Sequence, residues 1–324
     1  MTVRAGQARV LNVYDIALRH GLNVANLATR CRMSCMQTTP PPVAVPFTRL
    51  IAPRLALASC VRAMLVRDTT GCALLPPAQR LNRFPAVPMC SIVWTVAGDV
   101  EAAAPGLSLP DVGMPPALFG GPRSFPLVSY NPGPVHSFVV MLYPAALHAL
   151  TGVSMDALLD QFRPLDAVFG ADWLALSDAV LAAPDDETRI GLVEDFLAPR
   201  WQAARKAGDH PAGAIQDWVR RLGVQAASTG LASSARNIER RIKAWAGQPM
   251  RTLRRMRRAE QSFLDARGAI LQGTASWSDV AASGGYADQA HFCRETREIT
   301  GSTPTELARA IRDDESYWVY RIWA

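Results

Sequence analysis

A short helix, a glycine turn and a second helix are predicted by one stretch of the chain, Val280-Ala281-Ala282-Ser283-Gly284-Gly285-Tyr286-Ala287-Asp288-Gln289-Ala290-His291-Phe292. The glycines suit a sharp turn, and Asp288 is a preferred residue type at a helix N-cap. Beyond it, Phe292, Thr296 and Ile299 recur at the spacing that places side chains on one helix face. We expect that face to pack, whereas the other faces carry Gln289, Cys293, Arg294 and Arg297.

A similar arrangement is predicted upstream. Gly230 and Leu231 supply the turn, and Ser233 or Ser234 is expected to cap the second helix. Gly247 ends this unit, and a third helix with apolar residues at core spacing connects it to the second unit. In the first unit Ile238, Ile242 and Trp245 form the apolar seam, and another face carries Arg236, Arg240 and Lys243.

Positive charge is concentrated in this part of the chain. The 324-residue sequence has a formal net charge of +6. From Arg220 to Arg258 there are eleven arginines and lysines and a single acid, Glu239. Such a cluster is typical of a surface that binds the phosphates of a nucleic acid.

These features together resemble the DNA-binding module of the AraC/XylS family of bacterial regulators, over residues from about 212 to 312. Gly285–Arg294, followed by Gly301 and Thr303-Pro304, is similar to the family pattern G-F/Y-S-D-Q-S-H-F-x-R…G-x-S-P. In the first unit, Ile238–Ile242 is similar to the family's L-E-R-R-F block. About ten positions at the right spacing are far more specific than a bare helix-turn-helix pattern.

The resemblance implies that two recognition helices enter the major groove of double-stranded DNA. Arginine can contact guanine bidentately and glutamine can do the same with adenine, so Arg236, Arg240, Gln289 and Arg294 are the expected base readers. Two of the other candidates, His291 and Asn237, are equally well interpreted as spacers on the helix surface. The complete set of candidate DNA-binding residues is Ser234, Arg236, Asn237, Arg240, Lys243, Arg254, Arg255, Gln289, Ala290, His291, Arg294 and Arg297.

The remainder of the chain predicts an α+β fold. Residues 1–43 are expected to be a poorly ordered extension, with a true start at Met36 as an alternative. Residues 44–207 combine short β-favouring runs with later helices, which indicates a small barrel or cupin-like sensory and dimerisation domain. The stretch Lys206–Gly213 is the expected linker to an all-helical DNA-binding domain, residues 212–324.

The family resemblance implies a cytoplasmic regulator of transcription, with a small-molecule effector, a homodimer formed through the N-terminal domain and RNA polymerase as further partners. An architectural protein that bends DNA without ligand input is an alternative, and a DNA-modifying enzyme is another. No Walker loop, HExxH or G-x-S-x-G pattern is present, so no catalytic residue is predicted. We also expect no cofactor. No membrane span is expected, because no uninterrupted apolar run approaches the roughly 20 residues that one requires. No metal is expected either, because the six cysteines lack paired spacing.

Two details remain for the structure to resolve. Thr296 stands where the family usually has a large aromatic residue, and we expect neighbouring bulk from Trp277 or Leu307 to fill the space. Arg80, Arg83 and Trp94 are candidates for a pocket, although an arginine in a loop-rich domain is usually a surface residue.

Overall fold

Short β-favouring runs in the first half of the chain form antiparallel strands, as predicted. In the computed structural model, which describes residues 45–102, 114–205, 215–228 and 234–322, Cys90–Ala97 pairs with His136–Leu142. The predicted extension, residues 1–43, and the predicted linker, Lys206–Gly213, lie outside the described residues. In chain order the described strands are β1 Phe47–Ile51, β2 Val61–Asp68, β3 Leu81–Phe84, β4 Cys90–Ala97, β5 Glu101–Ala102, β6 Ala117–Gly120, β7 Leu127–Tyr130, β8 His136–Leu142 and β9 Phe162–Pro164.

These strands form two sheets. A six-stranded sheet has the order β1-β2-β8-β4-β6-β9, and a three-stranded sheet has the order β3-β7-β5. Side chains alternate between the two faces of a strand, so the central strands divide their residues between two environments. On β8, Phe138 and Val140 are buried against helices, whereas Val139 and Met141 face a cavity to which both sheets contribute walls.

Helices follow the strands and end the chain. Pro144 lies in the first turn of its helix, and Asp185 caps the long helix Asp186–Ala204 by accepting from the Thr188 N–H at 2.8 Å. In chain order the described helices longer than one turn are α1 Pro144–Thr151, α2 Ala171–Ala182, α3 Asp186–Ala204, α4 Ile215–Ser228, α5 Ala235–Ala246, α6 Met250–Gln272, α7 Trp277–Ser283, α8 Gln289–Thr300, α9 Pro304–Asp313 and α10 Trp318–Ile322.

The architecture confirms the predicted α+β class. A β-rich part with packed helices, residues 45–205 and here called the β-domain, precedes an all-helical part, residues 215–322 and here called the helical domain. No helix in the described ranges is long and apolar enough to cross a bilayer.

One hydrophobic core extends from the β-domain into the helical domain. The rings of Tyr143 and Trp218 pack with centroids 5.7 Å apart. Leu147 of α1 belongs to the same buried cluster as Leu222 of α4 and Leu253 of α6. Because burial of apolar surface is the main favourable term in folding, this shared core holds the start of the helical domain against the β-domain.

The end of the chain also returns to the β-domain. Trp318 donates its Nε1–H to the Asn82 side-chain oxygen at 2.8 Å and meets the Phe84 ring edge-on. Glu315 pairs with the buried Arg67 at 2.8 Å. The helical domain is therefore attached to the β-domain at its start, through α4–α6, and again through its C-terminal segment.

Candidate nucleic-acid interface

Helix α5 has the capped start and the divided faces that the sequence predicts for a first recognition helix. The Ser234 side chain accepts from the Asn237 N–H, which satisfies one of the free donors of the first turn. Ile242 is buried, and Ile238 and Trp245 pack against the same core. On its open side the helix exposes Arg236, Arg240 and Lys243.

The β-domain holds the packed side of α5. The Met155 N–H donates to the Ala244 carbonyl at 2.8 Å. Gly247 ends the helix at φ +74°, and a Cβ at this position would lie 2.9 Å from the Met155 oxygen and 3.0 Å from Pro122 Cγ. A glycine is required here both by the left-handed backbone and by this close approach.

Helix α8 confirms the predicted second unit. Asp288 caps it by accepting from the His291 N–H at 2.6 Å, and Gly285 supplies the turn before it at φ +69°. Phe292 is buried against Trp277, with ring centroids 6.2 Å apart, and Ile299 is buried further along the same face. The two units are thus built alike, with a side-chain cap at the start and a buried seam.

The open side of α8 carries the predicted base readers of the second unit. His291 is only half-exposed, and its ring meets the Tyr286 ring edge-on at 5.3 Å, so part of it is used in packing. The exposed candidates on this helix are Gln289, Ala290, Arg294 and Arg297.

The expectation for Thr296 is wrong. Trp277 and Leu307 do not fill the space beside it but form, together with Thr296, the wall of a cavity of about 140 Å³. The cavity lies between the second unit and the β-domain, whose Ala86 and Met89 complete the wall.

Two arginines of the helix that connects the units, α6, are engaged by acids of α8. Arg258 binds the nearly fully buried Glu295 at 2.7 Å and lies 4.2 Å from the centroid of the Tyr286 ring. Arg255 pairs with the exposed Glu298, also at 2.7 Å. These contacts fix the second unit against the connecting helix.

Five arginines in the first half of α6 line an open groove beside the turn of the second unit. Arg254 is exposed on this helix, and His291 and Gly285 belong to the opposite wall. The structure therefore brings three predicted sites, Arg254, Arg255 and His291, to one groove, whereas the base-reader candidates of α5 lie in the other unit. The five arginines of the groove are Arg251, Arg254, Arg255, Arg257 and Arg258.

The end of α8 is tied to the β-domain by a backbone hydrogen bond. The Ala86 N–H, in the loop between β3 and β4, donates to the Ile299 carbonyl at 2.7 Å. Since α5 is bonded to the β-domain as well, both candidate recognition helices depend on it for their placement.

The two fully buried cysteines of the described residues are poor candidates for an activated thiol. Cys60 and Cys90 are free and buried, and burial raises the pKa of both thiols, which disfavours the thiolate. Cys31 and Cys35 lie outside the described residues. Within the described ranges, no group of three His, Cys, Asp or Glu side chains is placed to hold a metal ion.

Sequence reasoning missed two residues that connect the domains. Arg123 is buried in the β-domain, and Gln248, at the junction of α5 and α6, donates its side-chain N–H to the Arg123 carbonyl at 3.1 Å. The three residues that the sequence suggested for an effector pocket have other contacts. Trp94 is in the core and donates its Nε1–H to the Ser177 hydroxyl, and Arg80 and Arg83 each lie over a tyrosine ring. The sequence signal that could have drawn attention to Arg123 is its charge, because its neighbours are mostly glycine, proline and apolar residues.

Comparison with known protein families gives a match within the helical domain. Residues 226–310 match the family described as "Helix-turn-helix domain". Among solved structures, the chain is similar to ToxT from Vibrio cholerae O395 bound to (E)-4-(8-methylnaphthalen-1-yl)but-3-enoic acid, with 10% identity, 72% of this chain and 96% of that chain covered, and a TM-score of 0.37. A second crystal structure of ToxT from the same strain gives 12% identity, coverage of 72% and 97%, and a TM-score of 0.34.

No curated protein matches the sequence significantly. The matched segment begins in α4 and ends in α9, so it contains both capped units and the helix between them. Residues 226–310, within the helical domain, are therefore similar to a family of helix-turn-helix domains.

Proposed function

We propose that this protein is a sequence-specific DNA-binding regulator of transcription. One observation carries the proposal: two capped helices each bury one face and expose another that bears side chains able to read bases. A single long helix, α6, joins them and carries further cations.

The base readers of the proposal are Arg236 and Arg240 on α5, and Gln289 and Arg294 on α8. All four are exposed, and Arg236 and Gln289 lie in the first turns of their helices, where contacts with base edges are usually made. Arginine matches O6 and N7 of guanine, and glutamine matches N6 and N7 of adenine. Each helix therefore offers chemistry that distinguishes base pairs in the major groove.

The other candidate residues position the domain on the DNA backbone. Arg254 and Lys243 neutralise phosphates, Arg255 reaches a phosphate in competition with its ion pair to Glu298, and Arg297 extends the basic face of α8. With 23 residues at a rise of roughly 1.5 Å, α6 is about 34 Å long, which is close to one turn of B-DNA. A connector of this length suits two units that enter successive major grooves on one side of the duplex.

The β-domain is proposed to sense a small-molecule effector and to form a homodimer. Both recognition helices are bonded to it, through Ala244 and Ile299, so a change in the β-domain reaches both units directly. A dimer would hold paired sites through effective concentration, and RNA polymerase is the expected further partner. Light scattering of the full chain at tens of micromolar tests the dimer, and a monomer at that concentration would contradict it.

The function is tested by sequencing the genomic DNA fragments that the purified full-length protein retains, followed by binding titrations on one recovered site. Arg240→Ala and Gln289→Ala should each relax base preference at a different position, at a cost of roughly 1 to 3 kcal/mol. Arg163→Ala, which removes an exposed charge from the β-domain, is the matched control and should bind as the wild type does.

Retention of fragments with no shared sequence would contradict specific recognition. In that case the architectural alternative, a protein that bends DNA without reading it, would gain support. Uniform weakening of all sequences by both recognition-helix variants would also remove the basis for direct readout.

A further inference from the structure

A second cavity, of about 190 Å³, lies between the two sheets of the β-domain. Its wall is largely apolar, and it is completed by the C-terminal segment that returns from the helical domain. Representative wall residues are Leu65, Phe84, Val93, Leu118, Val139 and Trp318.

Arg123 is part of this wall and is charged without a partner. Its side chain is 95% buried, since the residue retains only 5% relative exposure, and its Nε, Nη1 and Nη2 atoms have no hydrogen-bond acceptor among the described residues. The guanidinium carbon lies 4.7 Å from the centroid of the Phe125 ring and 5.2 Å from that of Phe162. Ring faces compensate a buried cation only in part, because they offer no hydrogen bonds.

The second charged residue of the wall and its asparagine Asn82 already have partners. Arg67, the second charged residue there, pairs with Glu315 and donates to Thr48 at 2.8 Å. Asn82 accepts from Trp318 and donates to Ser129. Within the described part of the wall, Arg123 is thus the one charge that lacks an ion pair.

Hydrogen bonds to Asp160 hold the backbone on both sides of Arg123. Asp160, at φ +58°, accepts from the Ser124 N–H at 2.7 Å, and its own N–H donates to the Pro122 carbonyl at 2.8 Å. A non-glycine residue at positive φ is costly and persists where the surroundings hold it. Burial lowers the pKa of Arg123 and the nearby Asp160 charge opposes this, but an arginine stays protonated at neutral pH.

We propose that this cavity binds a small monocarboxylate with an apolar body, whose carboxylate forms a bidentate pair with Arg123. The inference rests on the proposed function and names the effector class. A carboxylate matches the planar fork of a guanidinium, and its single charge neutralises the single unpaired charge of the wall. A dianion would leave one charge uncompensated in apolar surroundings, which is unfavourable.

The size of the cavity limits the apolar body. A cavity of roughly 150 Å³ accommodates benzene, so this one accepts a ring or chain that is a few atoms larger. Phenylacetate and octanoate are suitable probes, and phenylacetamide and octanamide are their uncharged counterparts.

Residues of the cavity wall are in direct contact with the helical domain. Gln248 holds the Arg123 carbonyl and lies between α5 and α6, and Trp318 contributes to the cavity wall. Movement of Arg123 toward a carboxylate would therefore be transmitted to the junction of the two units.

The test is calorimetric titration of the full-length protein, without DNA, with each acid and its amide. We expect the better acid to bind at least tenfold more tightly than its amide. Arg123→Met should abolish that preference, Arg123→Lys should reduce it, and Arg163→Met, at an exposed position of the same domain, should leave it intact. Circular dichroism of each variant establishes that it is folded.

Equal affinity for acid and amide, no binding of either pair, or a preference that survives in folded Arg123→Met would each overturn the proposal. Because DNA is absent from the titration, this result is independent of the DNA-binding experiment above. Failure of one therefore does not imply failure of the other.

Discussion

The side-chain amide of Gln248 donates a hydrogen bond to the backbone carbonyl of Arg123 at 3.1 Å, across the boundary between the helical domain and the β-domain. Gln248 is fully buried, and its neighbour Gly247 lies against Pro122. The junction of α5 and α6 is thus packed on the segment that positions the arginine of the cavity. If the proposed function holds, this contact links the proposed sensory domain directly to the proposed DNA-binding domain.

The first prediction concerns this junction. Gly247→Ala should lower the free energy of unfolding by roughly 1 to 3 kcal/mol, because φ +74° is unfavourable for alanine and its Cβ would meet the Met155 oxygen and Pro122. Urea unfolding of the full-length protein measures the change. Gly133→Ala is the matched control, since a Cβ there has no neighbour within 4 Å, and an equal loss at both positions would contradict the explanation.

The second prediction concerns the ion pair between Arg255 and Glu298. Glu298→Gln should strengthen binding to all DNA sequences, by up to about 1 kcal/mol, because it frees Arg255 for phosphate and an exposed pair is inexpensive to lose. The salt dependence of binding should steepen as one more phosphate is neutralised. Anisotropy titrations at several salt concentrations measure both effects.

Asp265→Asn is the control for the second prediction. It removes a negative charge from the groove that Arg255 lines, but Asp265 is hydrogen-bonded to Gln261 and not to an arginine. In the Glu298→Gln background, Arg255→Ala should cancel the gain. A gain that persists without Arg255 would show that only the net charge of the groove matters.

The third prediction concerns the cavity beside Thr296. Thr296→Phe should raise the free energy of unfolding by roughly 0.5 to 2 kcal/mol, because the new ring extends into empty apolar space. Thr296→Val, which changes the polarity but not the volume, separates the loss of the hydroxyl from the filling of the cavity. If urea unfolding shows that the phenylalanine variant is less stable than the valine variant, the space is too narrow for a ring.

The fourth prediction is a pH dependence at the start of α9. Glu306 accepts from the backbone N–H of Thr303 at 2.8 Å, and this bond holds the pKa of its carboxyl below the ordinary value of 4.5. A lowered pKa in the folded state means that the carboxylate stabilises the protein above pH 4.5 and that this contribution is lost as the pH falls through the folded value.

Glu306→Gln keeps an acceptor for the capping box but does not titrate. The stability difference between the wild type and this variant should therefore shrink as the pH is lowered from about 6 to about 3. Urea unfolding across that range measures it. A difference that is the same at every pH would contradict a role for the carboxylate charge.

Local sequence determined much of the helical domain. Ser234, Asp288 and Thr303 are residues with short polar side chains that satisfy the free N–H groups of a helix start, and each caps the helix that follows it. The apolar spacing of Phe292 and Ile299 likewise sets which face of α8 is buried, because it depends only on the helical repeat. For the same reason, the exposed faces with Arg240 and Gln289 were predictable.

Tertiary structure alone determined how these parts are used. The pairing of Arg255 with Glu298 and the cavity beside Thr296 depend on which elements pack together. The sequence around each of these residues does not indicate which distant residues it contacts. The same holds for Arg123, which lies 125 positions from Gln248 in the chain. The spacing of residues along one element is fixed by backbone geometry, whereas contacts between distant segments arise only when the whole chain buries its apolar surface.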